Sequence, residues 1–373
     1  MVNDMFKIIK INNFRGFQDL TISGLAQINV FTGLNGTGKT SILESAFLIS
    51  GASNASLIAS LYSFRGDNRW SINSDLPFLS IFRNLDPDLI PTISASSSIL
   101  QEKSKKHFRQ LSIKPTYSSV TSYASTQQTT KLSGVEFVFQ GASGTAKNKF
   151  GWQTQLPGKQ NDAENLADEP TKPLVSLGAE PTPNPDLINA HFISPYFRDL
   201  PEQDNKSLVE LVKERRIPEV IEILNILDPR IKNVQPLTEN GFPVIYADIG
   251  ETKLLPISLL GAGLSNVLHI ALPLIQYKNA TILIDEFEDG LHHSLFRPLL
   301  RIVFSLAKKN RNQIFISTHS DEFLRELLYV CKEISINEEI AFFRLAQRKS
   351  VGVIKKFTLS DVQDLLDANM DVR

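Results

Sequence analysis

A chain of 373 residues with 42% apolar side chains is long enough for two or three packed domains and too apolar to be disordered throughout. Lys+Arg 39 against Asp+Glu 40 leaves a formal net charge of −1, which excludes capture of nucleic acid or membrane by a global positive field, so a nucleic-acid role would need a local basic patch. The single cysteine, Cys331, excludes an intramolecular disulfide and a cysteine-built zinc site. The most apolar stretch, Val267 to Ile275, is far short of membrane length, and the N-terminal residues hold no apolar signal core, so a cytoplasmic location with no membrane partner is expected.

In chain order, Phe6 to Asn12 and Ala26 to Thr32 predict strands, and Gly33 opens a turn into a helix over Lys39 to Ser50. From Gly51 to about Leu187, Ser, Thr, Asn, Gln and Pro dominate, and only Gly134 to Gln140 reads as an apolar strand. Residues 56–185 are therefore expected to be a polar insertion, partly helical and with one or more antiparallel strands, its proline-rich stretch 157–185 a mobile loop. Order returns at Ile188 to Ser194. Ser207 to Lys213 and Val220 to Leu227 carry the three-to-four spacing of amphipathic helices. A helix over Leu264 to Gln276, a buried strand Ala280 to Ile284, a helix Ser294 to Lys308, a strand Gln313 to Ser317 and a helix Asp321 to Cys331 follow. Two more strands and a last helix, Leu359 to Asn369, close an α/β unit. The expected organisation is a discontinuous core, 1–55 and 186–373, interrupted by the insertion.

Four segments carry chemistry. Gly33-Leu-Asn-Gly-Thr-Gly-Lys39-Thr40 satisfies G-x-x-x-x-G-K-[ST] between a strand and a helix, the context a phosphate-binding loop requires. Its glycines let successive N–H groups turn inward onto phosphate oxygens at a helix N-terminus. Asn35, Gly36, Gly38, Lys39, Thr40 and Ser41 are thus the expected ATP-binding set, with Lys39 at the β/γ-phosphates and the Thr40 hydroxyl on Mg²⁺. Thr281 to Ile284 ends in Asp285 and Glu286, and adjacent residues on a strand face opposite ways. Asp285 is expected at the Mg²⁺ shell, and Glu286 as the base that deprotonates the attacking water. Gln313 to Ser317 ends in Thr318-His319-Ser320 near the same sheet edge, where His319 could sense the γ-phosphate. Pro256-Ile-Ser258-Leu-Leu-Gly261-Ala-Gly263-Leu-Ser265-Asn266 precedes a helix and forms a second candidate anion site.

These segments, in this order, resemble ABC-type ATPases of the SMC, RecF and overcoming-lysogenization-defect (OLD) group. Ile8-Ile-Lys-Ile-Asn-Asn-Phe14-Arg15-Gly16-Phe17 resembles that group's opening strand and its Asn-Phe-Arg element, and the resemblance implies that Arg15 approaches the nucleotide. Asp285-Glu-Phe-Glu288-Asp289-Gly290-Leu291-His292 resembles a Walker B segment running into a D-loop, and Ser317 to Ser320 an H-loop. More specifically, the chain resembles OLD-like ATPases of bacterial defence systems of the Gabija, Septu and PARIS type, over about residues 1–55 and 186–373. Gly261-Ala-Gly263 stands where transport ATPases have Ser-Gly-Gly, which leaves Ser258 or Ser265 in the serine's place, and Gln140 is the one candidate for a Q-loop glutamine.

The resemblance implies an ABC-like mixed sheet with helices on both faces, ATP and Mg²⁺ as cofactors, and a homodimer closed around nucleotide by the signature segment Ser258, Gly261, Gly263. The last helix runs almost to Arg373, leaving no room for the Toprim nuclease of full-length OLD proteins. An effector nuclease or toxin is expected in trans, with this chain the slowly hydrolysing regulatory half of an anti-phage system. The alternative is a RecF-like DNA-binding repair ATPase, which calls for a basic stripe; only 103–109 and 308–311 are locally basic. A third reading, a scaffold that binds ATP without turnover, has no use for Glu286.

Overall fold

The computed structural model describes residues 5–66, 75–97, 108–121, 128–151, 184–197, 201–336, 338–348 and 351–368. The expected mobile loop, up to residue 183, and the basic residues 103–107 lie outside them. Strands β1 (Ile8–Phe14), β2 (Phe17–Ser23) and β3 (Ile28–Thr32) lead through the glycine-rich loop into α1 (Lys39–Ser50). Next come α2 (Leu57–Ser63), α3 (Leu76–Leu79), β4 (Thr92–Ser96), β5 (Phe108–Thr121), β6 (Gln128–Gly141) and β7 (Gly144–Gly151). β8 (Ala190–Ile193) precedes α4 (Pro201–Lys213), α5 (Ile217–Asn225), β9 (Asn233–Glu239), β10 (Phe242–Asp248) and β11 (Leu255–Pro256). The remainder is α6 (Ala262–Gln276), β12 (Thr281–Ile284), α7 (Phe296–Asn310), β13 (Gln313–Ser317), α8 (Asp321–Glu333), β14 (Ile340–Arg348), β15 (Val351–Phe357) and α9 (Leu359–Asp367).

The central sheet runs β15-β14-β3-β13-β12-β8, parallel except for the edge strand β15. Its apolar strands are continuous because both faces are buried, and the two-residue period deals their side chains to two cores. Ile28, Val30, Ile282, Ile284, Ile314 and Ile316 enter one core with α6, α7 and α8. Phe31, Leu283 and Phe315 enter the other with α1, where the Phe31 ring stacks between Phe315 and Phe343, with centroids 6.0 and 5.2 Å away. Because α1 lies between two sheets it is buried on nearly every side, its serines and Glu44 included.

The second cover of that core is an antiparallel sheet, β2-β1-β4-β5-β6-β7. Among the described residues, segment 56–185 holds four strands, of which composition shows only the one over Gly134 to Gln140. The reason is one-sidedness: Leu111 and Ile113 of β5 and Val135, Phe137 and Phe139 of β6 face the core, while alternate positions such as Ser112, Glu136 and Gln140 are half-buried or exposed. A sheet wetted on one face needs apolar residues only at every second position, so its average composition reads as polar. A third sheet, β11-β10-β9, packs with α4 and α5 on the first core. The fold class is the expected one, an ABC-like P-loop α/β fold, with the difference that α1 and a second sheet together cover one face. Among the described residues no helix is long and apolar enough to cross a membrane. Cys331 is buried, and burial pushes its thiol up to about 12, which makes it unreactive.

Candidate nucleotide site

The parallel strands all present their carboxyl ends to one edge, the place where open α/β sheets bind ligands. Gly33 follows β3, Asp285 follows β12, Thr318 and His319 follow β13, and Ser194 follows β8. In the loop after β3, Gly33 has φ +147 and Gly38 φ +103. A Cβ on Gly33 would stand 2.5 Å from the Leu345 carbonyl oxygen, and one on Gly38 would stand 2.5 Å from the Phe17 ring. Only glycine permits this close wrapping. Helix α1 starts at Lys39 with no side-chain cap and no acid in its first turn, so its N-terminal N–H groups and dipole remain available to an anion.

Lys39 is buried and its Nζ donates to Gly33 O at 2.6 Å and Leu34 O at 3.1 Å. Burial lowers the ammonium below its ordinary value, against the nearby charges of Glu286, Asp285 and Glu288. Thr40 Oγ1 donates to Asp285 Oδ2 at 2.8 Å, and Ser317 Oγ donates to Asp285 Oδ1 at 2.5 Å. Burial raises the Asp285 carboxyl to about 6; the two hydroxyls oppose that rise, and the charges of Glu286 and Glu44 add to it. Glu286 sits in the left-handed region at φ +45, held by its N–H on Ser317 Oγ at 2.8 Å and by Phe287 N on Ser317 O. The backbone N of His319 donates to Glu288 Oε1 at 2.7 Å, and its ring Nδ1 lies 3.0 Å from the same oxygen without hydrogen-bond alignment.

The structure thus brings Gly36, Gly38, Lys39, Thr40, Asp285, Glu286 and His319 to one edge, with Asn35 exposed in the loop and Ser41 buried in the first turn of α1. Arg15 lies nearby but engages Glu44, at 3.1 and 3.2 Å, and Ser80 O and Oγ, each at 2.9 Å. Ser258, Gly261 and Gly263 stand at the start of α6: Ser258 is exposed in a 3₁₀ turn, Gly261 has φ +122, and Gly263 faces Leu295. Helix α6 begins at Ala262, two residues before the predicted start. Of the two candidate serines, Ser265 has a buried hydroxyl with no partner. Asn266 Nδ2 donates to Gly290 O at 2.7 Å and ties this helix to the segment after Glu288. Gln140 is exposed beside the β6–β7 hairpin, opposite Gln110 and Thr145. The strand flanking Asp285 is β8, where Asp285 N donates to Ile193 O at 2.9 Å.

Sequence reading missed Ser317 as a ligand of Asp285 and missed a buried ion cluster. Glu44, on α1 one turn beyond Thr40 and fully buried, accepts from Arg15 and from Arg65. A lone acid amid the apolar Ile42, Leu43, Ala46 and Phe47 was the available signal, since buried acids are nearly always paired. The cradle that a Cβ would fill, the uncapped helix start and a buried carboxylate already bonded to the Thr40 hydroxyl suit a triphosphate with a divalent cation: Lys39 and the loop N–H groups for the anion, Thr40 and Asp285 for the cation.

A Helicobacter pylori (strain ATCC 700392 / 26695) protein named ATP/GTP phosphatase is 26% identical over 364 residues, covering 92% of this chain and 93% of its own length. The DNA replication and repair protein RecF of Coxiella burnetii (strain Dugway 5J108-111) is 50% identical over 42 residues, 11% of this chain and 12% of its own. A solved Smc head, bound to the C-winged helix domain of ScpA, superimposes with TM-score 0.52 at 12% identity over 95% of this chain and 98% of its own, a likeness of fold. Residues 28–325, well over half of the chain, match the profile of the family described as "AAA domain, putative AbiEii toxin, Type IV TA system", and the chain belongs to that family, with the fold of the ABC/SMC-type P-loop ATPases.

Proposed function

We propose that this chain binds ATP with Mg²⁺ and hydrolyses it slowly as a dimer, acting as the regulatory subunit of a bacterial defence or toxin–antitoxin system whose effector is a separate protein. The observation that carries the hydrolytic part is the meeting of Thr40 and Asp285 at 2.8 Å with Lys39 inside the field of Asp285, Glu286 and Glu288. When bound, Mg²⁺ would supply charge neutralisation to the phosphates. Lys39 and the loop from Asn35 to Ser41 orient the phosphates, Thr40 and Asp285 hold the cation, Glu286 takes the proton of the attacking water, and His319, fixed by Glu288, faces the γ-phosphate. The Helicobacter relative's name supports turnover, and the family's description supports the toxin–antitoxin context.

Dimerisation is inferred from the signature segment: its turn is exposed, with Leu259 at 72% exposure, and in this reading it meets a partner's phosphate loop. Residues 1–55 and 186–373 form the nucleotide-handling core in this reading, and the sheet contributed by 56–185 is the effector-facing part. A RecF-like repair role has narrower support, a 42-residue match and a basic segment 308–311 in which Lys309 is already on Glu219 at 2.9 Å. Phosphate release from ATP by purified protein, with Lys39→Ala and Glu286→Gln beside it, tests the reading. Lys39→Ala should lose ATP binding. Glu286→Gln should bind ATP, stop turnover and accumulate as a dimer in size-exclusion chromatography with light scattering. Unchanged ATP affinity in the first, or full turnover in the second, overturns it.

A further inference from the structure

Strand β12, which ends at Asp285, lies between β13 and β8, and Asp285 N donates to Ile193 O, the last residue of β8, so the residues at the exit of β8 lie beside Asp285 at the sheet edge. They are Ser194 to Tyr196, and they are pinned to the turn that follows α2. Ser194 Oγ donates to Phe64 O at 2.6 Å, and the Tyr196 ring lies so close to Gly66 that a Cβ there would stand 2.9 Å from its Cδ1. Between Phe64 and Gly66 stands Arg65, whose guanidinium is held above its ordinary value: burial alone would lower it, but the hydrogen bonds and charge of Glu44, then the charge of Asp285, more than offset that. A cation is thus mounted at the exit of β8 within the field of the Asp285 carboxylate.

We propose that Arg65 is a γ-phosphate-sensing residue, docked on Glu44 until a triphosphate enters and then transferred to it; this rests on the nucleotide-binding reading above. The arrangement on Glu44 makes the transfer possible. Arg65 gives Glu44 two hydrogen bonds, Nε to Oε1 at 2.7 Å and Nη2 to Oε2 at 2.9 Å, and Arg15 gives it two more, at 3.1 and 3.2 Å. One buried carboxylate therefore holds two guanidiniums, a surplus of one positive charge. Removing the only partner of a buried charge is strongly unfavourable, but Glu44 keeps Arg15 when Arg65 leaves. Arg15 is the fixed member: its side chain is 9% exposed, its Nη1 is on Ser80 O and Oγ, and its backbone N is on Ile81 O. The Arg65 side chain is 42% exposed and, among the described residues, hydrogen-bonds Glu44. A γ-phosphate offers it a second bidentate acceptor of higher charge. A diphosphate leaves the γ position vacant and gives Arg65 no reason to move.

Calorimetric titration with ADP and with a non-hydrolysable ATP analogue, each with Mg²⁺, tests this on the wild type, Arg65→Ala, Arg65→Gln and Arg65→Lys, with Lys39→Ala as control. Arg65→Ala and Arg65→Gln should weaken the analogue by about tenfold or more, the usual worth of a charge-assisted hydrogen bond, and leave ADP within about twofold. Arg65→Lys should recover part of the loss. Equal weakening of both nucleotides, the mark of a merely structural role, overturns the proposal, as does unchanged affinity for the analogue. If Arg65→Ala does not fold, the Gln and Lys variants decide by the same comparison. Lys39→Ala separates the two levels: lost binding in Lys39→Ala beside unaltered binding in Arg65→Ala refutes Arg65 alone, whereas a wild type that binds neither nucleotide refutes the site and Arg65 with it.

Discussion

Asp285→Asn should stabilise the nucleotide-free protein while abolishing ATP turnover. The carboxyl is buried and its pKa is about 6, against an ordinary 3.8. Each unit is about 1.4 kcal/mol, so near pH 7 the charged carboxylate weakens the fold by about 3 kcal/mol. The amide keeps the shape and removes the charge, but its N–H₂ must find acceptors where Thr40 and Ser317 now donate, a loss of about 1 kcal/mol. A net gain of about 2 kcal/mol is expected. The folded state holds the Asp285 proton more tightly than the unfolded chain. The stability this contributes is therefore complete below the unfolded pKa and is lost as the pH rises through the folded value. In urea denaturation without metal or nucleotide, Asp285→Asn should lead the wild type by about 2 kcal/mol at roughly pH 7.5, with the gap closing by about pH 4.5. A variant less stable than wild type at neutral pH, or a gap that does not change with pH, refutes the reasoning.

Glu44→Gln leaves two guanidiniums around a neutral amide, Arg15 deeply buried. It should lower the urea unfolding free energy by about 3 kcal/mol, and an unchanged midpoint would show that the cluster contributes nothing net. His191, whose ring lies 5.7 Å from Tyr277, is held at about 3 by burial and by the His269 charge, against an ordinary 6.5. Its contribution is therefore present above about pH 6.5 and is lost as the pH falls through about 3. His191→Phe, made in the Asp285→Asn background to remove the opposite-signed Asp285 titration, should flatten the acid limb of the stability–pH curve. An identical limb excludes His191 as its source.

What the sequence made legible is what local physics decides. The loop Gly33 to Thr40 could be read because backbone wrapping demands glycine at fixed offsets, and α1 begins at Lys39 as predicted. Strands β12 and β13 could be read because burial on both faces writes an unbroken apolar run. Strands β4 and β5 could not, because a half-wet sheet spells Leu111-Ser112-Ile113 and only its partners β1 and β6 show which face is inside. Glu44, Arg65 and Ser317 escaped for the same reason. Each acts on a group 21 to 32 positions away, and no periodicity joins such residues.

The same convergence explains why this edge of the sheet should bind tightly what it lacks charge balance to hold alone. Lys39 is turned back onto two carbonyl oxygens, Asp285 carries a raised pKa among acids, Glu286 is held in left-handed backbone, and Glu44 carries a surplus guanidinium. A triphosphate supplies the anion that Lys39 and Arg65 would otherwise share with backbone and Glu44, and its divalent cation supplies the charge that Asp285 lacks. Burial, with the charges of Glu286 and Glu44, raises the Asp285 carboxyl to about 6, and a cation set against it would favour the charged form. Neutralising Asp285 should make the protein sturdier and the site weaker together, as frequently holds where activity depends on a destabilised site.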